Sequence, residues 1–157
     1  MHTVDTLNVV NSQFFITGSS DNAIDLWIMN KKKPIYSLEG LHSGDSWLLS
    51  TANVRHSDLM ASGSYDGQVL IYGFRREKKD FGVLGRFKDL PGCINAMKFS
   101  HARASNSLYT GLKSMPFGSN LMLAVSHSKE ERLGRWHVQP RTKTGITILR
   151  RKTESSL

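Results

Sequence analysis

Short apolar runs without a helical stripe recur along the chain. Residues Phe14–Thr17 and Leu59–Ser62 are mostly apolar, and no window shows sustained helical periodicity. Each run leads to a pair of turn-forming residues, Asp21-Asn22 and Asp66-Gly67, because Asn and Gly tolerate the positive φ that tight hairpin turns demand. The stretches after these turns alternate as returning strands do. The pattern therefore predicts an all-β protein.

The strand-and-turn unit is repeated along the chain. Gly18 corresponds to Gly63 and Trp27 to Tyr72, each at an offset of 45 residues. A period of about 40–45 residues with this content is typical of the four-stranded antiparallel blade of a WD-repeat β-propeller.

A third, degenerate copy follows. The run Leu121–His127 matches the apolar strand, and Arg132–Trp136 matches the strand that ends in Trp or Tyr. Trp136 lies 64 residues after Tyr72, so the third unit is stretched. The segment 102–120 contains Ser, Gly and Pro, and this composition predicts an insertion loop.

The predicted fold is a WD40-type β-propeller segment of about three four-stranded antiparallel blades. It is expected to fill residues 1–150, with blades at 3–44, 45–90 and 91–150 and a basic and polar tail at 151–157. The third blade is expected to use strands near 94–100, 121–125, 132–138 and 145–149. Three blades cannot close a seven-bladed ring, and apolar faces would stay exposed. We therefore expect a fragment, a truncated gene model, or a chain that completes its ring with another chain.

A buried hydrogen-bond network is expected within the repeats. WD repeats combine a His before the first strand, a Ser or Thr on the second, the turn Asp and a Trp, and this sequence resembles that pattern. Because a half-satisfied network is costly, its members are expected to be structural rather than catalytic. The predicted members and their counterparts in the other units are His42, Ser62, Asp66, Tyr72, Asp21, Trp27 and Trp136.

Charge is unevenly distributed along the chain. The formal net charge is +8, and almost all of the excess lies after residue 100. This asymmetry favours an anionic partner near the C-terminal side, although a solvated basic edge remains the alternative. Arginine forks suit phosphates, and aromatics can stack on bases. The candidate RNA-binding residues are Lys129, Arg132, Arg135, Arg141, Lys143, Arg150 and Arg151.

Two earlier basic clusters, Lys31–Lys33 and Arg75–Lys79, follow the third strands of their blades. They could protect sheet edges and promote solubility, or they could serve nuclear import or contact phosphates. The sequence leaves these alternatives open.

Catalytic and metal-binding signatures are missing from the sequence. There is no phosphate-binding glycine loop, nucleophile elbow or zinc-binding His-Glu-x-x-His helix, and the six histidines are dispersed. The carboxylate pair Glu130-Glu131 is expected in a solvated turn, and the single Cys93 excludes an internal disulfide. We expect no enzyme activity, no metal, no cofactor, no small-molecule substrate and no membrane span.

The C-terminal third carries a more specific similarity. The segment Lys129–Trp136 and the later Ile146–Arg151 resemble the end of the U3 small nucleolar RNA-interacting WD-repeat proteins. The resemblance implies a nucleolar component of the U3 box C/D ribonucleoprotein. Such a component would bind the box B/C region of U3 RNA together with box C/D proteins during pre-ribosomal RNA processing for the small subunit. A generic WD40 scaffold for protein–protein contacts is the alternative.

Overall fold

A computed structural model describes residues 3–44, 46–55, 57–75, 77–78, 80–101, 121–131 and 138–150. These ranges contain eleven β-strands and no helix, so the all-β prediction is confirmed. The strands are β1 Val4–Val9, β2 Phe14–Ser19, β3 Ala23–Ile28, β4 Tyr36–Glu39, β5 Leu48–Asn53, β6 Leu59–Ser64, β7 Val69–Arg75, β8 Asp80–Phe87, β9 Cys93–His101, β10 Leu121–Ser128 and β11 Gly145–Arg150.

The described strands form three antiparallel sheets. The first sheet has the order β1-β2-β3-β4 and the second the order β5-β6-β7-β8. The third sheet has the order β9-β10-β11. Within each sheet, every strand is hydrogen-bonded to the strand that follows it in the chain, as hairpin connections require.

Hairpin turns join the second and third strands where the sequence predicted them. Asn22 and Gly67 adopt the expected positive φ, 63° and 74°. A Cβ atom on Gly67 would lie 2.4 Å from the carbonyl oxygen of Leu90. Glycine is therefore required there both by the backbone conformation and by the close approach of the connection between β8 and β9.

The first strands of the three sheets, β1, β5 and β9, lie next to one another. Ser50 donates a hydrogen bond from its Oγ to the carbonyl oxygen of Ile94, at 2.8 Å. The Nδ2 of Asn8 donates to the carbonyl oxygen of Thr51, at 2.7 Å. Side-chain hydrogen bonds to backbone carbonyls thus connect the sheets along one edge.

Two apolar clusters hold the sheets face to face. The cluster between the first and second sheets includes Leu26, Met60 and Tyr72. The cluster between the second and third sheets includes Ile71 and Leu123. Neighbouring positions of β6 and β7 point into opposite clusters, so the second sheet is buried on both faces. This explains the nearly continuous apolar run of β7, because a strand covered on both sides has no polar face.

The third sheet corrects the predicted strand order. The strand beside β10 is β11, whereas residues 132–138 were expected there. Val138 lies outside any strand, and residues 132–137 lie outside the described part of the chain. The run Ile146-Thr147-Ile148 is rich in β-branched residues and delivers Leu149 to the core, which favours it over an Arg- and Gly-containing stretch.

Leu149 consequently occupies the position expected for Trp136. That position is held by Trp27 in the first sheet and by Tyr72 in the second. The corresponding pairs across the second and third strands are Phe15–Trp27, Met60–Tyr72 and Leu123–Leu149. Trp136 itself lies outside the described residues, as do the expected insertion 102–120 and the tail 151–157. The blade limits stay predictions.

Substitutions in β11 test this register. Leu149 is fully buried and Ile146 is 72% exposed. We expect Leu149→Ala to lower the free energy of unfolding by about 2–5 kcal/mol, because it removes core contacts and leaves a cavity. Ile146→Ala should change it by less than about 0.5 kcal/mol. Urea unfolding followed by tryptophan fluorescence measures both, and equal losses would contradict the assigned register.

Candidate nucleic-acid interface

A chain of hydrogen bonds crosses the boundary between the first two sheets. The hydroxyl groups of Tyr72 and Ser62 are 2.5 Å apart, and Ser62 Oγ lies 2.8 Å from Nε2 of His42. The Nδ1 of His42 lies 2.8 Å from the hydroxyl of Ser64, which donates to the Asp66 carboxylate. The structure thus brings together the four predicted members of the second unit and inserts Ser64 between His42 and Asp66.

Asp66 fastens the loop before β5 to the turn after β6. Its carboxylate accepts hydrogen bonds from the backbone N–H groups of Gln68, at 2.9 Å, and Ser43, at 3.1 Å. Its own N–H donates to Ser46 Oγ at 3.1 Å. Because these partners come from two separate connections, the carboxylate holds both in one arrangement.

Protonation states in the network follow from burial and hydrogen bonding. Burial alone would raise the pKa of Asp66, but the nearby His42 imidazole, Ser64 and two backbone N–H groups hold that pKa well below its usual range. Burial raises the pKa of Tyr72 above its ordinary value, so its phenol stays protonated and can hydrogen-bond to Ser62. At neutral pH, Asp66 is therefore ionised and Tyr72 is neutral.

The first sheet has a shorter version of this network. Trp27 donates from Nε1 to Thr17 Oγ1 at 2.9 Å, and Ser19 donates to Asp21. Asp21 is exposed, in contrast to Asp66. The buried Asn22, which sequence analysis assigned only to a turn, donates through Nδ2 to the carbonyl oxygen of His42 at 2.8 Å. The first turn therefore also supports the loop that carries His42.

The third sheet replaces the hydroxyl pair by apolar side chains. Val125 stands where Ser62 stands in the second sheet, and both Val125 and Leu149 are fully buried. Replacing both partners of a hydrogen bond by apolar groups leaves no buried polar group unsatisfied. His127 is buried nearby, with its ring nitrogens 3.0 Å from the carbonyl oxygen of Lys143 and 3.1 Å from Thr147 Oγ1.

The antiparallel order places the connections at two opposite ends of the sheets. We call the end with the Asp21 and Asp66 turns the turn end, and the end with the Lys31–Lys33 loop the lysine end. The segment between β10 and β11 lies at the turn end. The last residue of β11, Arg150, lies at the lysine end.

Three candidate RNA-binding residues meet at the turn end. Lys129, Arg141 and Lys143 are all exposed and lie in the connection between β10 and β11. The N–H of Gln139 donates to the carbonyl oxygen of Lys129 at 2.8 Å, which brings the two halves of this connection together. The structure therefore gathers residues that are up to 14 positions apart in the sequence.

The remaining candidates divide into two groups. Arg150 is exposed but lies at the lysine end, across the length of β11 from the other three. Arg132, Arg135 and Arg151 lie outside the described residues. The predicted set is therefore not a single patch within the part of the chain that the structure describes.

Charge differs between the two ends. Among the described residues of the connections, basic side chains outnumber carboxylates at the lysine end, but not at the turn end. One lysine-end cation is already paired, because Arg75 donates two hydrogen bonds to Asp80, at 2.7 and 2.6 Å. This pair raises the pKa of Arg75 and lowers that of Asp80. Among the residues that the structure describes, the connections at the lysine end thus carry the more positive charge, which sequence order alone did not reveal.

Two further chemically reactive side chains, Cys93 and Glu131, are buried. Burial, assisted by the nearby charge of Glu131, raises the pKa of Cys93 to about 11, so the thiol is protonated at neutral pH. Glu131 is buried, which corrects the expectation of a solvated pair. Within the described ranges, no cluster of three His, Cys, Asp or Glu residues forms a metal site. No described helix has the length and apolar character to span a membrane.

Several curated proteins similar to this chain are named for U3 RNA, for the U3 snoRNP or for ribosomal RNA processing. The chain is 28% identical over 160 residues to the U3 small nucleolar RNA-interacting protein 2 of Mus musculus. It is 29% identical over 153 residues to a U3 snoRNP-associated protein-like protein of Arabidopsis thaliana, and 23% identical over 162 residues to ribosomal RNA-processing protein 9 of Saccharomyces cerevisiae. The alignments cover 93%, 88% and 85% of this chain. The resemblance to the U3 small nucleolar RNA-interacting WD-repeat proteins is confirmed.

Solved structures agree on the fold. The chain matches the crystal structure of RRP9 WD40 repeats with a TM-score of 0.73 and 24% identity, over 92% of this chain and 41% of that one. It matches the structure of U3-55K with a TM-score of 0.72 and 23% identity, over the same shares of the two chains. The three sheets are therefore WD40 propeller blades, as predicted. No protein-family model matches the chain.

The chain spans only part of these relatives. It covers 29% of the mouse protein, 28% of the Arabidopsis protein and 26% of the yeast protein.

Replacing Asp66 tests the network. We expect Asp66→Asn to lower the free energy of unfolding by about 1–3 kcal/mol at pH 7, because a hydrogen-bonded carboxylate is lost. The folded-state pKa is depressed, so the contribution of Asp66 is complete above the unfolded pKa near 4 and disappears as the pH falls toward the folded value. Urea unfolding from pH 7 to pH 3 measures the difference between the two proteins.

Asp21→Asn is the matched control, because Asp21 occupies the corresponding turn position but is exposed. Its effect should be smaller than that of Asp66→Asn at pH 7. A difference between wild type and Asp66→Asn that grows as the pH falls would contradict the assigned protonation.

Proposed function

We propose that this chain is a non-enzymatic WD-repeat component of a U3 small nucleolar ribonucleoprotein. It would bind U3 RNA and partner proteins during pre-ribosomal RNA processing for the small subunit, in the nucleolus. The similarity to proteins that are named for U3 RNA interaction or for association with the U3 snoRNP carries this proposal. The exposed basic residues at the ends of the third sheet support it with a surface suited to phosphates.

Lys129, Arg141 and Lys143 form the core of the proposed contact. All three are exposed in one connection, and none forms an ion pair with another described residue. Arg141 offers a planar fork that suits phosphate oxygens, whereas the two lysines act as mobile point charges. Such contacts recognise the shape and charge of a folded RNA rather than its base sequence.

Arg150 would provide a second point of contact. It is separated from Gly145, at the start of β11, by the length of a six-residue strand, roughly 17 Å. An RNA that touched both groups would therefore have to follow β11 along the edge of the third sheet. We propose the box B/C region of U3 RNA as this ligand and box C/D proteins as neighbours, and Arg132, Arg135 and Arg151 as further candidates.

A triple substitution tests the turn-end contact. We expect Lys129→Ala/Arg141→Ala/Lys143→Ala to weaken binding to U3 RNA by about tenfold or more, because counterion release is lost with each phosphate contact. The plot of log affinity against log salt should become shallower by about one unit per contact removed. Filter binding across a salt series, with the chain in its natural assembly, provides both values.

The matched control replaces three other exposed basic residues, Arg55, Lys78 and Lys98, by alanine, and none of the three lies in a connection at the turn end. It removes the same net charge from other parts of the surface. Equal weakening in both variants would mean that only net charge matters. Unchanged affinity in the first variant would remove these residues from the interface and favour a WD40 scaffold that binds proteins.

A further inference from the structure

A cavity of about 970 Å³ opens between the first and second sheets at the lysine end. Its apolar walls come from both sheets, and the principal side chains are Phe14, Leu26, Ile28, Ile35, Met60 and Phe74. Leu26 and Met60 are buried and form the floor, whereas the other four are partly exposed. The volume reaches the upper range of binding pockets in proteins, about 300–1,000 Å³.

Packing across the sheet boundary shapes the cavity. Phe14 of the first sheet and Phe74 of the second have ring centroids 6.1 Å apart with tilted planes. Phe74 also packs on Phe81, at 5.7 Å. Because the two rings belong to different sheets and are anchored in the same core cluster, the cavity is a built feature of this boundary.

The rim of the cavity is basic on one side. Lys31, Lys32 and Lys33 line it and are exposed, and none forms an ion pair within the described residues. Asp58 is the one carboxylate among the described lining residues, and it lies at the end of the connection between β5 and β6. Three adjacent cations at the mouth of an apolar cleft create a site complementary to negative charge joined to a bulky apolar group.

We propose that this groove binds a short acidic segment of a partner protein, with one or two bulky apolar side chains inserted between the sheets. The carboxylates of the segment would face the three lysines, and its apolar side chains would cover the Phe14–Phe74 pair. This goes beyond the proposed RNA contact and does not depend on it, because Lys129, Arg141, Lys143 and Arg150, the candidate RNA-binding residues that the structure describes, do not line the groove.

The wall chemistry favours a peptide over a nucleic acid. Besides the lysines, the polar residues of the described lining are Asn11, Gln13, Asn30 and Asp58. The apolar part of this lining consists of aliphatic and phenylalanine side chains, which offer no hydrogen bonds to base edges. A buried base would therefore leave its polar groups unsatisfied, whereas a Leu or Phe side chain would not. The rim amide Asn11 already accepts hydrogen bonds through Oδ1 from the backbone N–H groups of Gln13 and Phe14. The Asn11 side chain thus stabilises the turn between β1 and β2.

Fluorescence anisotropy with three labelled peptides tests the proposal on the full chain. The first probe is a short run of Asp and Glu around a Leu-Phe pair. The second has Ser-Gly in place of Leu-Phe, and the third has Lys in place of the acids. We expect only the first to bind well, and Lys31→Glu/Lys32→Glu/Lys33→Glu to weaken it by about tenfold or more. The three lysines are exposed, so this variant should keep the urea unfolding midpoint of the wild type.

The control variant Lys78→Glu/Lys88→Glu/Lys98→Glu makes the same charge change at three exposed residues that do not line the groove, and it should retain binding within about twofold. Ile28→Ser should weaken the first probe by removing an apolar contact. Equal binding of the Ser-Gly probe, or equal weakening in both triple variants, would show charge attraction only and overturn the proposal. Displacement of the first probe by a single-stranded RNA would assign the groove to nucleic acid instead. U3 RNA binding of the same variants reports separately on the proposed function.

Discussion

Burial of the second sheet on both faces is the constraint on which the rest of this structure depends. Residues Met60 and Tyr72 face the first sheet, and the adjoining Ala61 and Ile71 face the third. A sheet enclosed in this way can keep its place only while both neighbours pack against it. Side chains of the outer sheets are less protected, and Leu7 and Val9 of β1 are 58% and 51% exposed. Burial of apolar surface at the two boundaries therefore provides most of the favourable free energy that stacks the blades.

The polar network is a consequence of that packing. His42, Ser62 and Tyr72 lie in a region that water does not reach, so each must find a partner within the protein. Their hydrogen bonds extend through Ser64 to Asp66 and fix the loop that crosses between the sheets. The third sheet has no buried polar side chains at the corresponding positions, because Val125 and Leu149 lie where the second sheet has Ser62 and Tyr72. Both arrangements leave the boundary without an unsatisfied group at these positions.

The sequence predicted the repeat because its signals are local. Alternating strands, the positive φ of Asn22 and Gly67, and the offset of 45 residues are all visible without coordinates. The predicted strand order of the third unit was wrong for a physical reason. It rested on matching the aromatic Trp136, and it did not ask which stretch could pair with β10 and fill the core. Ser64 could have been found, since Ser19 stands 45 residues earlier with the same Asp two residues on. The split of the basic residues between two ends depends on strand direction, and the groove depends on two sheets meeting, so neither was visible in sequence order.

Amide hydrogen exchange tests the central claim, the burial of the second sheet on both faces, most directly. The account predicts that the backbone amides of β6 and β7 exchange more slowly than those of β1 and β4, because both of their neighbours must separate before water gains access. If β6 and β7 exchanged as fast as β1, the second sheet would not be enclosed, and the stacked arrangement of the three blades would be wrong.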